Sequence, residues 1–195
     1  MKVSSYMHSD PVTVQATAPL SEAKRVMDEK GFSLLLVVGE EMALKGFVTK
    51  GSLKGVTDWE APLESACFKA RFAVTPEDTL EKAALIMIDN QLVLLPVIDG
   101  EKLVGAISQS EVLRALARAL GIGLEGTRIS LKLPLDSDGK TIYKILATLD
   151  EQDVKLVSLS RGGRTDRYQV LIVRAQGISD KDVLAKKLEG ILRPE

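Results

Sequence analysis

The residues best placed to do chemistry are a hydroxyl and a carboxylate three positions apart. They are Ser108 and Glu111, in the segment Gly105-Ala-Ile-Ser-Gln-Ser-Glu. An apolar run precedes Ser108 and a helical pattern follows it. The hydroxyl therefore ends a strand, and the carboxylate falls in the first turn of a helix. Facing one cleft, the carboxylate can accept two hydrogen bonds from a vicinal diol such as a ribose. The hydroxyl and the helix N-terminal amides can receive a phosphate. The same spacing also describes a capping box, with Ser108 capping the helix and Glu111 closing back on it. Both readings stand on the residues alone. An earlier segment, Gly46-Phe-Val-Thr49-Lys-Gly-Ser52, has the same form but no acid.

Other reactive-looking groups read more simply as structure. Gly121-x-Gly123-x-x-Gly126 has dinucleotide-binding spacing. It follows a helix and precedes a strand, the reverse of the order that presents free amides to a pyrophosphate. It reads as a helix stop and a linker. His8-Ser9-Asp10 holds triad residue types as sequence neighbours, whereas a triad needs side chains that converge on an oxyanion site. Cys67, beside Phe68, reads as a small core residue. With one cysteine in the chain, an intrachain disulfide and a cysteine metal cluster are excluded. Arg161-Gly-Gly-Arg164 reads as a hairpin turn with its glycines at positive φ. No set of residues makes an enzyme site, and no metal site is expected.

The elements that must hold Ser108 and Thr49 come from an internal repeat. A shift of 60 residues superposes Val14 on Val74, Leu20 on Leu80, Ala23 on Ala83, Met27 on Met87 and Val37 on Val97. One residue fewer puts Gly46 on Gly105 and Thr49 on Ser108. Each copy starts with a short extended piece, Val12 to Val14 or Phe72 to Val74. An amphipathic helix follows, with Leu20, Ala23, Val26 and Met27, or Leu80, Ala83, Ile86 and Met87, on one face. Next comes a continuous apolar strand, Leu34 to Val38 or Leu94 to Ile98, of the kind buried on both faces. A turn, a second strand and a final helix complete the unit. The pattern is β-α-β-β-α, twice. After residues 121–126 it changes. Arg128 to Leu133 alternates as a half-buried strand, 139–151 is an amphipathic helix, and Val154 to Leu159 and Tyr168 to Val173 are strands. A last helix covers 180–192, with Val183, Leu184, Leu188 and Ile191 inward. The fold class is α+β.

Composition sets limits. Apolar residues are 45% of the 195, charged residues 27%, and the net charge is −1. A near-neutral chain is a poor gripper of phosphate backbones, so nucleic acid is an unlikely partner. No apolar run approaches the ~20 residues that span a bilayer, and the first residues lack a signal-peptide core. A soluble, cytoplasmic protein is expected.

The paired repeats, with Leu95-Pro96-Val97 before a Gly-x-x-Ser/Thr-x-x-acid ending, resemble a cystathionine-β-synthase-type (CBS) domain pair. The resemblance assigns 1–60 to the first repeat and 61–121 to the second. Residues 127–195 resemble an ACT domain, a small ferredoxin-like module. The combination is similar to acetoin-utilisation accessory proteins and related bacterial CBS–ACT proteins. It implies a regulatory sensor without catalysis, with AMP, ADP, ATP or S-adenosylmethionine as ligand. The alternative is a ligand-free dimerisation scaffold. It also implies a homodimer formed through both domain types, acting on a further protein. The family acid that holds the ribose corresponds to Glu111, one methylene longer than the usual Asp; in the first repeat the position is Ser52, and Leu36 replaces the proline seen as Pro96. One good site is therefore expected, at Ser108 and Glu111 with Val74 and Pro96 flanking the base. The Thr49 and Ser52 cleft should be weak or empty. Lys69, Arg71 and Arg114 are candidate phosphate partners. In the ACT-like part the implied effector loop is Asp136, Ser137, Asp138, Gly139 and Lys140. Lys155 stands where the family has an effector-binding asparagine.

Overall fold

The structure is a computed structural model that describes residues 1–192; the last three residues of the expected C-terminal domain lie outside them. The chain divides into two compact units, Met1–Ala115 and Leu116–Glu195.

In the first unit, β1 (Thr13–Gln15) leads to α1 (Leu20–Lys30), β2 (Leu34–Val38) and β3 (Leu44–Thr49). β1 lies parallel to β2, and β2 antiparallel to β3. The second copy supplies α2 (Leu80–Asp89), β4 (Leu94–Asp99), β5 (Lys102–Ser108) and α3 (Gln109–Ala119). Its lead strand shrinks to one parallel bridge, Val74 to Val97. The expected helical faces are observed: Leu20, Ala23, Val26 and Met27 are buried on α1, and Leu80, Ala83 and Met87 on α2. Gly31 ends α1 in the left-handed conformation at φ 71°, the usual use of glycine past a helix end. Thr79 caps α2 by accepting from the Lys82 amide.

Residues paired across an antiparallel ladder project to the same side of the sheet. Leu36 faces Phe47 in the first repeat, and Pro96 faces Ala106 in the second. Leu36, Val38, Leu103 and Ala106 form one buried cluster, with Phe47, Leu44 and Leu94 packed against it. The two sheets thus meet through one face each. The lead-in segments are exchanged: Phe68 bridges Phe47 of the first repeat, and His8 bridges Ala106 of the second. This explains the motif glycines. A Cβ on Gly46 would sit 2.0 Å from the Phe68 carbonyl oxygen, and one on Gly105 would sit 2.8 Å from that of His8.

One expected helix is missing. After β3, residues 50–55 form turns. Gly51 lies within this stretch and Gly55, at φ 81°, ends it. Each glycine costs a helix roughly 1 kcal/mol relative to alanine, and after one α-type bond, from the Leu53 amide to the Thr49 carbonyl, the chain turns through i→i−3 bonds from Lys54 to Gly51 and from Val56 to Leu53.

The second unit contains β6 (Thr127–Pro134), α4 (Gly139–Asp150), β7 (Lys155–Arg164), β8 (Tyr168–Gln176) and α5 (Lys181–Leu192). The sheet order is β6-β8-β7, antiparallel throughout. Leu131, Leu133, Ile145, Leu149, Val173, Leu184 and Leu188 fill its core. Two expectations are corrected. Arg161 to Arg164 is the end of β7, with an irregular register and no glycine at positive φ, and Thr165 to Arg167 makes the turn. Val183 is 43% exposed rather than inward; Leu184 and Leu188 carry the burial on α5.

Candidate functional site

A cavity of about 670 Å³ opens between the two repeats. Leu34, Leu36 and Phe47 wall it from the first repeat, and Leu94 and Pro96 from the second. These side chains share the inward sheet faces fixed by the ladder register. The third wall is the lead-in of the second repeat, Phe68-Lys69-Ala70-Arg71-Phe72, and Gln91 to Val93 close the end. The exchange of lead-ins creates this wall, because the Phe47–Phe68 bridge pins residue 68 to β3 through two backbone hydrogen bonds of 2.9 Å. The two rings lie 5.8 Å apart and tilted by 39°, within the range of favourable aromatic pairs. Lys69 and Arg71 are exposed and make no ion pair among the described residues. The site is an aromatic and aliphatic slot with two uncompensated cations on one wall. Cys67, next to this wall, is half-buried, and burial pushes its thiol pKa up.

The expected site residues fall in different places. Pro96 lines the cavity, as do Lys69 and Arg71. Val74 is 1% exposed and hydrogen-bonded to β4 on both sides, its amide to the Pro96 carbonyl and its carbonyl to the Ile98 amide. It is a core residue with no face to offer a base. Arg114 lies on the exposed side of α3.

Ser108 and Glu111 lie outside the cavity lining and face each other. One Glu111 carboxylate oxygen accepts from the Ser108 amide at 2.7 Å and from its hydroxyl at 2.9 Å. The Glu111 amide reaches the Ser108 oxygen at 3.4 Å, completing a capping box. The other carboxylate oxygen meets the imidazole of His8, on the first lead-in. In the first repeat, Thr49 and Ser52 exchange amide-to-hydroxyl bonds of 3.1 Å each. This is the same closure built without a charge.

In the C-terminal unit Asp138 caps α4 by accepting from the Lys140 and Thr141 amides at 3.0 and 3.2 Å. Asp136 and Asp138 border an open hollow of about 460 Å³ beside Ile191. Gly139 has open space around it. Lys155 is not close to this loop. It pairs with Gln176 at one end of β8, whereas Pro134, just before the loop, pairs with Tyr168 at the other. Eight residues of strand at ~3.3 Å each separate the two.

The sequence reading missed Phe47, Phe68 and Phe72 as site residues. Their signal was present: three of the four phenylalanines sit in Gly46-Phe47 and Phe68-Lys-Ala-Arg-Phe72, an aromatic and basic alternation unusual for a plain connection.

The CBS domain model matches residues 3–56 and 69–118, just over half of the chain. The chain belongs to the CBS domain family. A solved CBS domain pair/ACT domain protein from Thermotoga maritima is 29% identical. It superposes with a TM-score of 0.57 over 62% of this chain and 99% of that one. A Vibrio cholerae protein assigned to acetoin utilization is 25% identical, with a TM-score of 0.56 over 63% and 94%. CBSX2, solved with AMP, shares the fold at 21% identity and a TM-score of 0.54 over 60% and 96%. Among curated proteins, a homoserine O-acetyltransferase from Methanosalsum zhilinae is 31% identical over 56% of this chain. The chain spans about a quarter of the length of the first curated relatives it matches. Among the described residues, no helix is long and apolar enough to cross a membrane and no cluster of metal-ligating side chains occurs.

Proposed function

We propose that this protein is a non-catalytic, cytoplasmic sensor that binds an adenine nucleotide in the cavity between its CBS repeats and regulates a protein partner. The observation that carries this is the pair of unpaired cations, Lys69 and Arg71, on the rim of a slot walled by Phe47, Phe72, Leu94 and Pro96. An adenine ring gains from burial against aromatic and aliphatic surface. Phosphate oxygens gain from Lys and Arg, the latter by two parallel hydrogen bonds. The phosphates distinguish AMP, ADP and ATP from S-adenosylmethionine, whose sulfonium repels the same wall. AMP bound to CBSX2 is consistent with this choice of ligand. The Ser108–Glu111 pair, at the end of β5 beside His8, remains a second candidate, for a ribose.

The C-terminal unit, as an ACT-like module, serves pairing rather than effector binding, because its loop and Lys155 stand at opposite ends of the sheet. A second reading, a pairing scaffold with no ligand, is favoured by the closed caps at Ser52 and Glu111.

Titration calorimetry with AMP, ADP, ATP, adenosine and S-adenosylmethionine tests the proposal. Phosphorylated ligands should bind at least about tenfold tighter than adenosine, a difference of ~1.4 kcal/mol. Lys69→Glu with Arg71→Glu should erase the difference, and chromatography should recover the nucleotide unchanged. Equal affinities for adenosine and ATP would remove the cations from the site. Absence of binding throughout would leave the scaffold.

A further inference from the structure

We infer that Gln91 reads the base of the bound nucleotide, pairing its side-chain amide with the N6 and N7 edge of an adenine. This deepens the adenine-nucleotide reading above and rests on it. The internal repeat supplies the control. Helices α1 and α2 end alike. The Phe32 amide donates to the Met27 carbonyl at 3.0 Å, and the Leu92 amide to the Met87 carbonyl at 2.9 Å. A helix end of this kind puts the residue before the donor in the left-handed region. In the first repeat that residue is Gly31, at φ 71°; in the second it is Gln91, at φ 54°. Both positions are exposed, and a Cβ on Gly31 would meet nothing within 4 Å. The backbone, and not a lack of space, therefore favours glycine here. The second repeat carries a side chain where the backbone disfavours one. A cost of this kind, kept beside a binding cavity, points to function.

The cavity supplies the use. Among the described residues that line it, only Lys69, Arg71 and Gln91 carry polar side chains. The two cations lie on the lead-in wall and take phosphate. Gln91 stands with Leu92 and Val93 at the end of the slot. Backbone groups there are engaged, the Leu92 amide by Met87 and the Val93 carbonyl by the Gln109 amide at 2.9 Å. The Gln91 side chain makes no hydrogen bond among the described residues. It is the neutral donor and acceptor that the lining offers a base. A side-chain amide sets a carbonyl oxygen, which accepts, beside an NH2, which donates. Adenine sets N6–H, which donates, beside N7, which accepts, so the two groups pair through two hydrogen bonds. Guanine and hypoxanthine set two acceptors, O6 and N7, on the same edge. One of them would face the amide oxygen unpaired, and a polar group left unpaired in a closed site is costly. Gln91 therefore selects adenine nucleotides over those of hypoxanthine and guanine.

The test is titration calorimetry of the full chain with AMP, IMP and 7-deaza-AMP, with thermal unfolding beside it. The wild type should bind AMP about tenfold or more tighter than IMP, with 7-deaza-AMP, which lacks N7, in between. Gln91→Gly copies the first repeat. It should bind all three alike. Its melting temperature should stay level or rise, because glycine adopts the left-handed conformation freely. Its preference for AMP over adenosine, set by Lys69 and Arg71, should remain at about tenfold. A wild type that binds AMP and IMP equally would overturn the inference and leave the phosphate contacts intact. So would a Gln91→Gly protein that still prefers AMP, which would give the discrimination to another group. Discrimination lost together with a melting temperature far below that of the wild type would make Gln91 a structural residue and overturn it as well. Absence of nucleotide binding throughout would overturn both this inference and the reading it rests on.

Discussion

The two CBS repeats share one inner pattern and differ in their lead-ins and in the group that closes on the end of the second strand. Both bury the same face of the first helix and both place a glycine under the other's lead-in. Their lead-ins diverge. The first is His8-Ser-Asp-Pro-Val12, whereas the second is Phe68-Lys-Ala-Arg-Phe72. The acid also lies on one side only, Glu111 against Ser52. Duplication preserved what packs, since a change there costs stability in both copies. Positions outside the shared core were free to specialise. The large cavity forms under the basic, aromatic lead-in, and the lone acid lies under the other, held by His8.

The largest loss of stability should follow substitution of the glycines the two repeats share. At Gly46 an added Cβ strikes backbone at 2.0 Å, and φ is 156°. At Gly105 the nearest atoms are the His8 carbonyl and the movable end of Met7, both at 2.8 Å. Gly46→Ala should cost about 3 kcal/mol in denaturant unfolding and Gly105→Ala about 1–2 kcal/mol. Equal losses would mean the lead-ins are not held as described.

Next come the caps. Glu111→Ala removes the acceptor of two bonds to Ser108 and should cost about 1–2 kcal/mol; Ser52→Ala, in an uncharged closure, should cost less than about 1 kcal/mol. Thermal unfolding of the two variants in parallel measures the difference.

The smallest effect is a pH dependence carried by Asp78 in the second repeat. Asp78, where the first has Ala18, accepts from the Thr75 amide at 2.8 Å and meets Lys82 at 2.7 Å. The Lys82 hydrogen bond, then the Thr75 amide, hold its pKa below the usual carboxylate value. A lowered folded-state pKa stabilises the fold above the ordinary Asp range near 3.9, and that share is lost as pH falls through the folded value. Asp78→Asn should flatten the acid limb of the stability curve slightly. An unchanged limb would show the contact contributes nothing in solution.

Most of the fold was legible because apolar periodicity writes itself directly into sequence. Leu20, Ala23 and Met27 announce a helix face wherever it packs. The missing helix after β3 shows where the repeat misleads: the second copy ends in α3, but in the first Gly51 and Gly55 weaken the backbone. Arg161 to Arg164 shows the converse, since glycines that suit a turn also suit an irregular strand end. The cavity was less legible. It needs the exchange of lead-ins, a contact between residues 47 and 68 that no local pattern encodes. Ser108 and Glu111, which the motif singles out, lie outside the lining of this cavity. Their hydrogen bonds, a cap on α3, were the part that spacing alone anticipated.

In the proposed function the nucleotide sits under the second lead-in, against Lys69 and Arg71. Nucleotide titration of Lys69→Glu/Arg71→Glu beside Glu111→Ala, on otherwise identical protein, tests it most directly. The charge-reversed protein should lose about tenfold or more in affinity, while Glu111→Ala should stay close to the wild type. Loss of binding in Glu111→Ala with normal binding in the charge-reversed protein would contradict it and place the nucleotide beneath His8.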